Sequence, residues 1–175
     1  MTESLDGLEL RPVQLQDWPQ LRDLRLRALR DSPDAFGSTY EREERMREAS
    51  DWQWWIAGTP GESVVRSFVT QKDDVLVGMA TGMVETGDPR TAHLFGMWVE
   101  PTFRRRALGA ALLEAVSDWA LNCQCDELVL RVVDGNESAS NFYRREGFVT
   151  TSALPEQLRE RSSVTTREMR RQLGV

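Results

Sequence analysis

From Met97 to Leu113 the chain reads MWVEPTFRRRALGAALL, an apolar strand that breaks at Pro101 and gives way to a helix beginning inside three arginines. A helix entered in this way can hold a polyanion. The amides of its first turn have no carbonyl one turn back to bond, and with the helix dipole they present positive charge at that end. Ala107, Leu108, Gly109 and Ala110 form that turn; three of them are small enough to let phosphate oxygens reach the backbone, and Arg104, Arg105 and Arg106 add local charge. The pattern fits a pyrophosphate site. It also fits a helix that merely has a basic first turn, because short glycine-containing motifs are weak signals by themselves.

Such a turn needs a scaffold, and the pattern of apolar residues supplies one. LELRPV, Leu8 to Val13, reads as a first strand, and Asp17 is placed to cap a helix whose Leu21, Leu24, Ala28 and Leu29 recur at helical spacing. A turn at Ser32 and Pro33 separates it from a second helical region holding Tyr40 to Arg47. The run EREERMRE, Glu41 to Glu48, reads as an exposed helix face with i,i+4 ion pairs. Trp52, Trp54 and Trp55 follow; they either line a pocket or anchor this helix to the core.

From Ser63 the period becomes that of strands. SVVRSFVTQ, VLVGMATGMVET and TAHLFGMWVE are separated by turn signals at Lys72 to Asp74 and Gly87 to Pro89, which predicts an antiparallel meander. The arginine-rich helix comes next, with Leu108, Leu112, Ala115, Val116 and Trp119 on one face, running to about Asn122. ELVLRVV, Glu127 to Val133, is then a strand parallel to the one before the helix, since the connection has crossover length. SASNFYRREGF makes a short helix ending near Gly147, and the tail has room for strands at Val149 to Leu154 and Val164 to Leu173. The expectation is one mixed α/β (α+β) domain over residues 1–175.

Composition narrows the class. The 175 residues are 40% hydrophobic with 22 basic and 28 acidic side chains, enough for a real core and neither fibrous nor disordered. A net charge of -6 argues against a general nucleic-acid binder, which needs a basic face, so the arginines near 104 are a local exception. The first ten residues lack a basic and then apolar leader, and no apolar run reaches membrane-spanning length, which places the chain in the cytoplasm and off the membrane. Cys123 and Cys125 make no disulfide framework. With a single histidine in the chain, no zinc set is expected either, and they read as ordinary reduced thiols.

Two motifs now stand in order: Arg104 to Gly109, and, about thirty residues later beyond a helix and a strand, NESASNFYRREGF with Asn136, Tyr143, Gly147 and Phe148. Together they resemble the GNAT superfamily of acyl-CoA-dependent N-acetyltransferases, the first being similar to its Q/R-x-x-G-x-G/A pyrophosphate motif. LRLRALRDSPDAFGS also looks like the acceptor-side helices of bacterial members. The resemblance implies a mostly antiparallel twisted sheet with one central parallel pair, splayed, and about four flanking helices. It implies acetyl-CoA as co-substrate, no metal, and a homodimer as a common assembly.

What the resemblance implies about residues can be set against their chemistry. Arg104 to Ala110 would bind the pyrophosphate, and the pantetheine arm would pair with Met97, Trp98 and Val99, with Gly96 marking the bulge that opens the strands. The Met97 amide would polarise the thioester carbonyl, a role worth about 3 to 4 kcal/mol in comparable oxyanion sites. Tyr143 is the family's usual proton donor to the leaving sulfur, and a phenol of pKa about 10 is protonated at neutral pH. Asn136 and Asn141 would hydrogen-bond the pantetheine or adenylate side; Asn136 can equally cap a helix. For the base, strand alternation sets His93, Phe95 and Met97 on one face, and some members have a catalytic histidine at this position. Glu85 competes through water, and Glu41 and Glu44 are weaker candidates.

Ala107 stands where the family usually has its first glycine. Taken as helical, its methyl group costs nothing in backbone conformation and coenzyme binding survives. Other classes remain open: an idle acyl-CoA-binding or regulatory module, and a nucleotide-binding protein, although no lysine follows Gly109 to complete a phosphate loop. The acceptor is a small-molecule or peptide amine, and the acidic balance with Trp52, Trp54 and Trp55 leans towards a cationic, partly apolar one.

Overall fold

The computed structural model describes residues 7–104, 107–151 and 165–174. Within these residues seven strands form one sheet in the order β1-β2-β3-β4-β5-β7-β6. They are β1 (Leu8–Pro12), β2 (Ser63–Lys72), β3 (Val75–Glu85), β4 (Asp88–Val99), β5 (Glu127–Val133), β6 (Val149–Thr150) and β7 (Thr166–Gln172). β1 to β4 are antiparallel, as the alternating pattern predicts; β4 and β5 are the parallel pair, and β7 runs antiparallel to β5. Ser152 to Leu154 and Val164, expected in the last two strands, lie outside the described residues.

Among the described residues three helices are long, α1 (Trp18–Asp31), α5 (Leu108–Asn122) and α6 (Glu137–Arg145). Three more, α2 (Tyr40–Glu43), α3 (Ala49–Trp52) and α4 (Trp54–Ala57), are four residues each. The expected continuous helix from Tyr40 to Arg47 is therefore broken. Arg22 of α1 takes the carbonyls of Glu44 and Met46 at 2.7 and 2.8 Å, and the Trp52 indole also donates to Met46 at 3.3 Å, which stabilises the chain reversal after α2. Asp17 does not cap α1 with its side chain; its carboxylate accepts from the Gln14 amide at 2.8 Å and from Arg11 at 2.6 and 3.0 Å. Those bonds, the Arg11 one foremost, hold its pKa below the usual carboxylate range against the opposing effect of burial.

Each face of the sheet has its own core. On one, α5 sets Leu112, Leu113, Val116 and Ala120 against Ala80, Val84, Ala92, Leu94, Leu128 and Leu130. On the other, α1 sets Leu21, Leu24, Ala28 and Leu29 with Trp52 against Val69, Leu76, Met79 and Trp98. Each large side chain buried this way contributes about 1.5 to 3 kcal/mol. The packing fixes both helices on the central strands, and the site lies where those strands part.

Candidate active site

The parallel ladder of β4 and β5 is short. It pairs Thr91 with Glu127 and ends with Leu94 on Leu130. Beyond Leu130 the residues Arg131 to Val133 pair only with β7, while β4 continues on β3 to Val99. The two strands thus splay, and a cavity of about 650 Å³ opens between them.

Gly96 produces the splay on the β4 side. Phe95 pairs with Thr81 and Trp98 with Met79, so β4 has one residue more than β3 across this step, and Gly96 and Met97 have no register partner in either neighbour. Its φ of +62° suits glycine, and a Cβ there would come within 2.9 Å of the Trp55 ring. The extra residue also inverts the alternation, which corrects the expectation that His93, Phe95 and Met97 share a face. Phe95 meets Trp54 and Trp55 with ring centroids 5.5 and 5.7 Å away. Met97 lies on the α5 side, where its thioether accepts the Tyr143 hydroxyl at 3.5 Å. A bulge is a phase change in a period of two.

The cavity consequently reaches both sides of the sheet. Arg25, Phe36, Glu43, Trp54 and Trp55 line it on the α1 to α4 side, and Ala139 and Tyr143 of α6 line it on the other. Tyr143 is held edge-on between Phe142 and Phe148, at centroid distances of 5.1 and 5.6 Å. Burial pushes its phenol further above the usual range, so it is a protonated group at neutral pH. Asn136 caps α6, its side-chain oxygen accepting from the Ala139 amide at 3.1 Å, and it borders the cavity at the same time.

At the N-terminus of α5 the first helical bond runs from Ala111 to the Ala107 carbonyl at 2.9 Å, so the amides of Leu108, Gly109 and Ala110 have no carbonyl of the helix to bond. Ala107 is not helical. Its φ of +59° and ψ of 2° are left-handed, which corrects the expectation of a cost-free methyl group. The reason is local: the chain must reverse from the Pro101 turn into α5, and the residue before Leu108 makes that reversal. Arg104 points away from the turn, its guanidinium donating to the Val99 carbonyl at 2.8 Å and pairing with Asp31. Asp31 also accepts from the Trp98 indole at 2.9 Å. Burial raises its pKa, but the bonds from Trp98, Ser32 and Arg104 outweigh that and leave it lowered. Arg105 and Arg106 lie outside the described residues.

The sequence profile of the acetyltransferase (GNAT) family matches residues 18–148. The chain belongs to that family. It is similar to the mouse thialysine N-epsilon-acetyltransferase, at 30% identity over 67 residues, 38% of this chain and 39% of that protein. The chain therefore matches well under half the length of that relative. In structure it is similar to the ribosomal-protein-alanine N-acetyltransferase of Brucella melitensis, with a TM-score of 0.74 and 19% identity over 94% of this chain and 99% of that one. It is likewise similar to the spermidine N-acetyltransferase of Vibrio cholerae, solved with CoA and spermine, at a TM-score of 0.71 and 16% identity over 95% and 96%. These two likenesses are of fold. Membership of that family makes residues 18–148 an acetyltransferase-family domain.

The GNAT donor residues predicted from the sequence fall into two groups. Met97, Asn136 and Tyr143 converge on the cavity, together with His93 and Glu85. Trp98 is buried against α1, Leu108 in the core, and Val99 packs beneath α5. Asn141 is exposed on α6, away from the cavity lining, and accepts from Arg144 at 2.8 Å. His93 is half-buried between Met83 and Val129, and Glu85 is exposed at the end of β3 on the same face as Met83. Trp52 is fully buried, so the tryptophans divide: one anchors, two line the pocket. Glu43 corrects the exposed-face expectation, being 4% exposed and paired to Arg25. The sequence held a signal for this, because Arg25 sits within the apolar stripe Leu21, Leu24, Ala28 and Leu29. Among the described residues no helix is long and apolar enough to span a membrane, and no group of three His, Cys, Asp or Glu can hold a metal ion.

Proposed function

We propose that residues 1–175 act as one N-acetyltransferase domain that moves the acetyl group of acetyl-CoA to a primary amine by direct attack in a ternary complex. The observation that carries this is the cavity through the β4–β5 splay, lined from both faces of the sheet, which supports donor and acceptor approaching from opposite sides. The amides of Leu108, Gly109 and Ala110 take the pyrophosphate, and Met97 to Val99 with Asn136 take the pantetheine arm. The amine nitrogen attacks the thioester carbon, the oxygen becomes an oxyanion met by the Met97 amide, and the C–S bond breaks as the carbonyl reforms. Tyr143 gives its proton to the departing sulfur, and its place beside the soft Met97 sulfur supports that role.

The amine's proton goes to a base. An alkylammonium of pKa about 10 is only about 0.1% neutral at pH 7, a penalty of roughly 4 kcal/mol that the site must offset. His93 is favoured over Glu85, being the more enclosed of the two and one residue from the point where the strands part. The aromatic lining and Glu85 support a partly apolar, cationic amine as acceptor.

The test is acetyl-CoA-dependent thiol release over a panel of amines. Release with at least one acceptor and a pH–rate profile that loses its acidic limb in His93→Ala, but not in Glu85→Gln, is expected. Coenzyme binding without release on any amine would make the domain a binding module instead.

A further inference from the structure

The cavity wall on the α1 to α4 side contains a donor that the protein leaves unmatched. Arg25 is 4% exposed, and its Nε and Nη2 donate to the two carboxylate oxygens of Glu43 at 2.8 and 2.9 Å. Its guanidinium carbon lies 4.4 Å from the Phe36 ring centroid and 5.1 Å from that of Trp55. Nη1, buried, has no hydrogen-bond partner among the described residues. Arg25, Phe36, Glu43 and Trp55 all border the cavity.

A buried N–H without a partner is costly, and a fold that keeps one beside a ligand cavity has a place for a ligand acceptor atom. The charge balance selects its kind. Glu43 meets Arg25 with both carboxylate oxygens, so the Nη1 donor belongs to a guanidinium whose charge is already paired. A ligand carboxylate would stand against Glu43, and a second ammonium against the guanidinium. A neutral carbonyl oxygen meets neither objection.

Resting on the acetyl-transfer reading, we propose that the acceptor is the amine of an aminoacyl or peptidyl amide, whose carbonyl oxygen is read by Arg25 Nη1 and whose side chain packs on Trp54, Trp55 and Phe95. A site built to bond a substrate oxygen discriminates strongly against the analogue that lacks it.

The experiment compares L-phenylalaninamide, 2-phenylethylamine and L-phenylalanine as acceptors, with rates expressed per unprotonated amine. The amide is expected to show kcat/KM at least about tenfold above both others. Arg25→Lys keeps the charge opposite Glu43 but removes Nη1; the preference should fall to near unity, with acetyl-CoA binding by calorimetry unchanged. Equal rates for amide and amine, or a preference that survives in Arg25→Lys, overturn the assignment and leave acetyl transfer standing. Bound acetyl-CoA with no thiol release from any amine overturns both. Should Arg25→Lys not fold, the three acceptors on the unmodified protein decide.

Discussion

The two sides of the splayed sheet are built in different ways. The donor side is made of short sequence stretches: the Gly96 bulge, the first turn of α5 and the Asn136 to Tyr143 helix, each complete within about a dozen residues. The acceptor side is assembled from Arg25, Phe36, Glu43, Trp54, Trp55 and Phe95, contributed by five separate segments. On the reading proposed above, the donor would be held largely by backbone and helix ends, and the acceptor by a wall of side chains that must first find one another. Damage on the donor side should therefore appear in binding and rate, and damage on the acceptor side in folding stability.

The sharpest break of that contrast comes from the helix start. Gly109→Glu places bulk against Met97 and Phe142, which already lie 3.4 Å from an ideal Cβ there, and negative charge at the proposed pyrophosphate site. Acetyl-CoA affinity should fall at least about a thousandfold, by several kcal/mol, and by more than the unfolding free energy falls in urea. Calorimetry and urea titration of the same sample check both halves.

On the acceptor side the expected effects are reversed. Arg25→Met leaves Glu43 buried without its partner, and about 3 to 5 kcal/mol of unfolding free energy should be lost. The double variant Arg25→Met with Glu43→Leu should recover most of it, because a packed apolar pair replaces a desolvated ionic one. A loss below about 1 kcal/mol in the single variant would mean that this pair does not hold the wall.

The same division explains what could be read from the sequence. The β2 to β4 meander, α5 and β5 followed from local period, and β5 has the bounds that its apolar run predicts. The face of Met97 did not, because one glycine with a positive φ shifts a period of two without altering the composition around it. Nor did Glu43: EREERMRE has the pattern of a solvated helix, and only the packing of α1 turns one of its carboxylates inward. Arg25 was visible as a charge on an apolar stripe, but its partner lies 18 residues away and no spacing rule connects the two.

A rate effect separates donor chemistry from donor binding. Tyr143→Phe keeps the ring contacts with Phe142 and Phe148 and removes only a hydroxyl whose contact is the Met97 sulfur at 3.5 Å. Turnover should fall about a hundredfold, the size of effect expected for a lost general acid. Acetyl-CoA affinity should stay within about twofold, and stability within about 1 kcal/mol. Equal turnover would remove Tyr143 from the proton path.

The smallest effect concerns two left-handed residues, Gly96 and Ala107, at φ +62° and +59°. Only the first has a ring in the space a side chain would take, since a Cβ on Gly96 would meet Trp55, whereas Ala107 is exposed at the mouth of α5. Sterics thus enforce glycine at one position and leave only conformational cost at the other. An alanine in this region costs about 1 to 2 kcal/mol relative to its preferred conformations. Glycine's greater freedom in the unfolded chain takes back about 0.5 to 1 kcal/mol of what relieving that strain would gain. Ala107→Gly should then stabilise the protein by about 0.5 to 1 kcal/mol, raising Tm by roughly 1 to 3 °C. Coenzyme affinity should be unchanged or improved, because the glycine permits the same reversal into α5 without strain. A marked loss of affinity by calorimetry would show that the methyl group itself touches the ligand, and that the alanine is part of the donor site rather than a strained spacer at its edge.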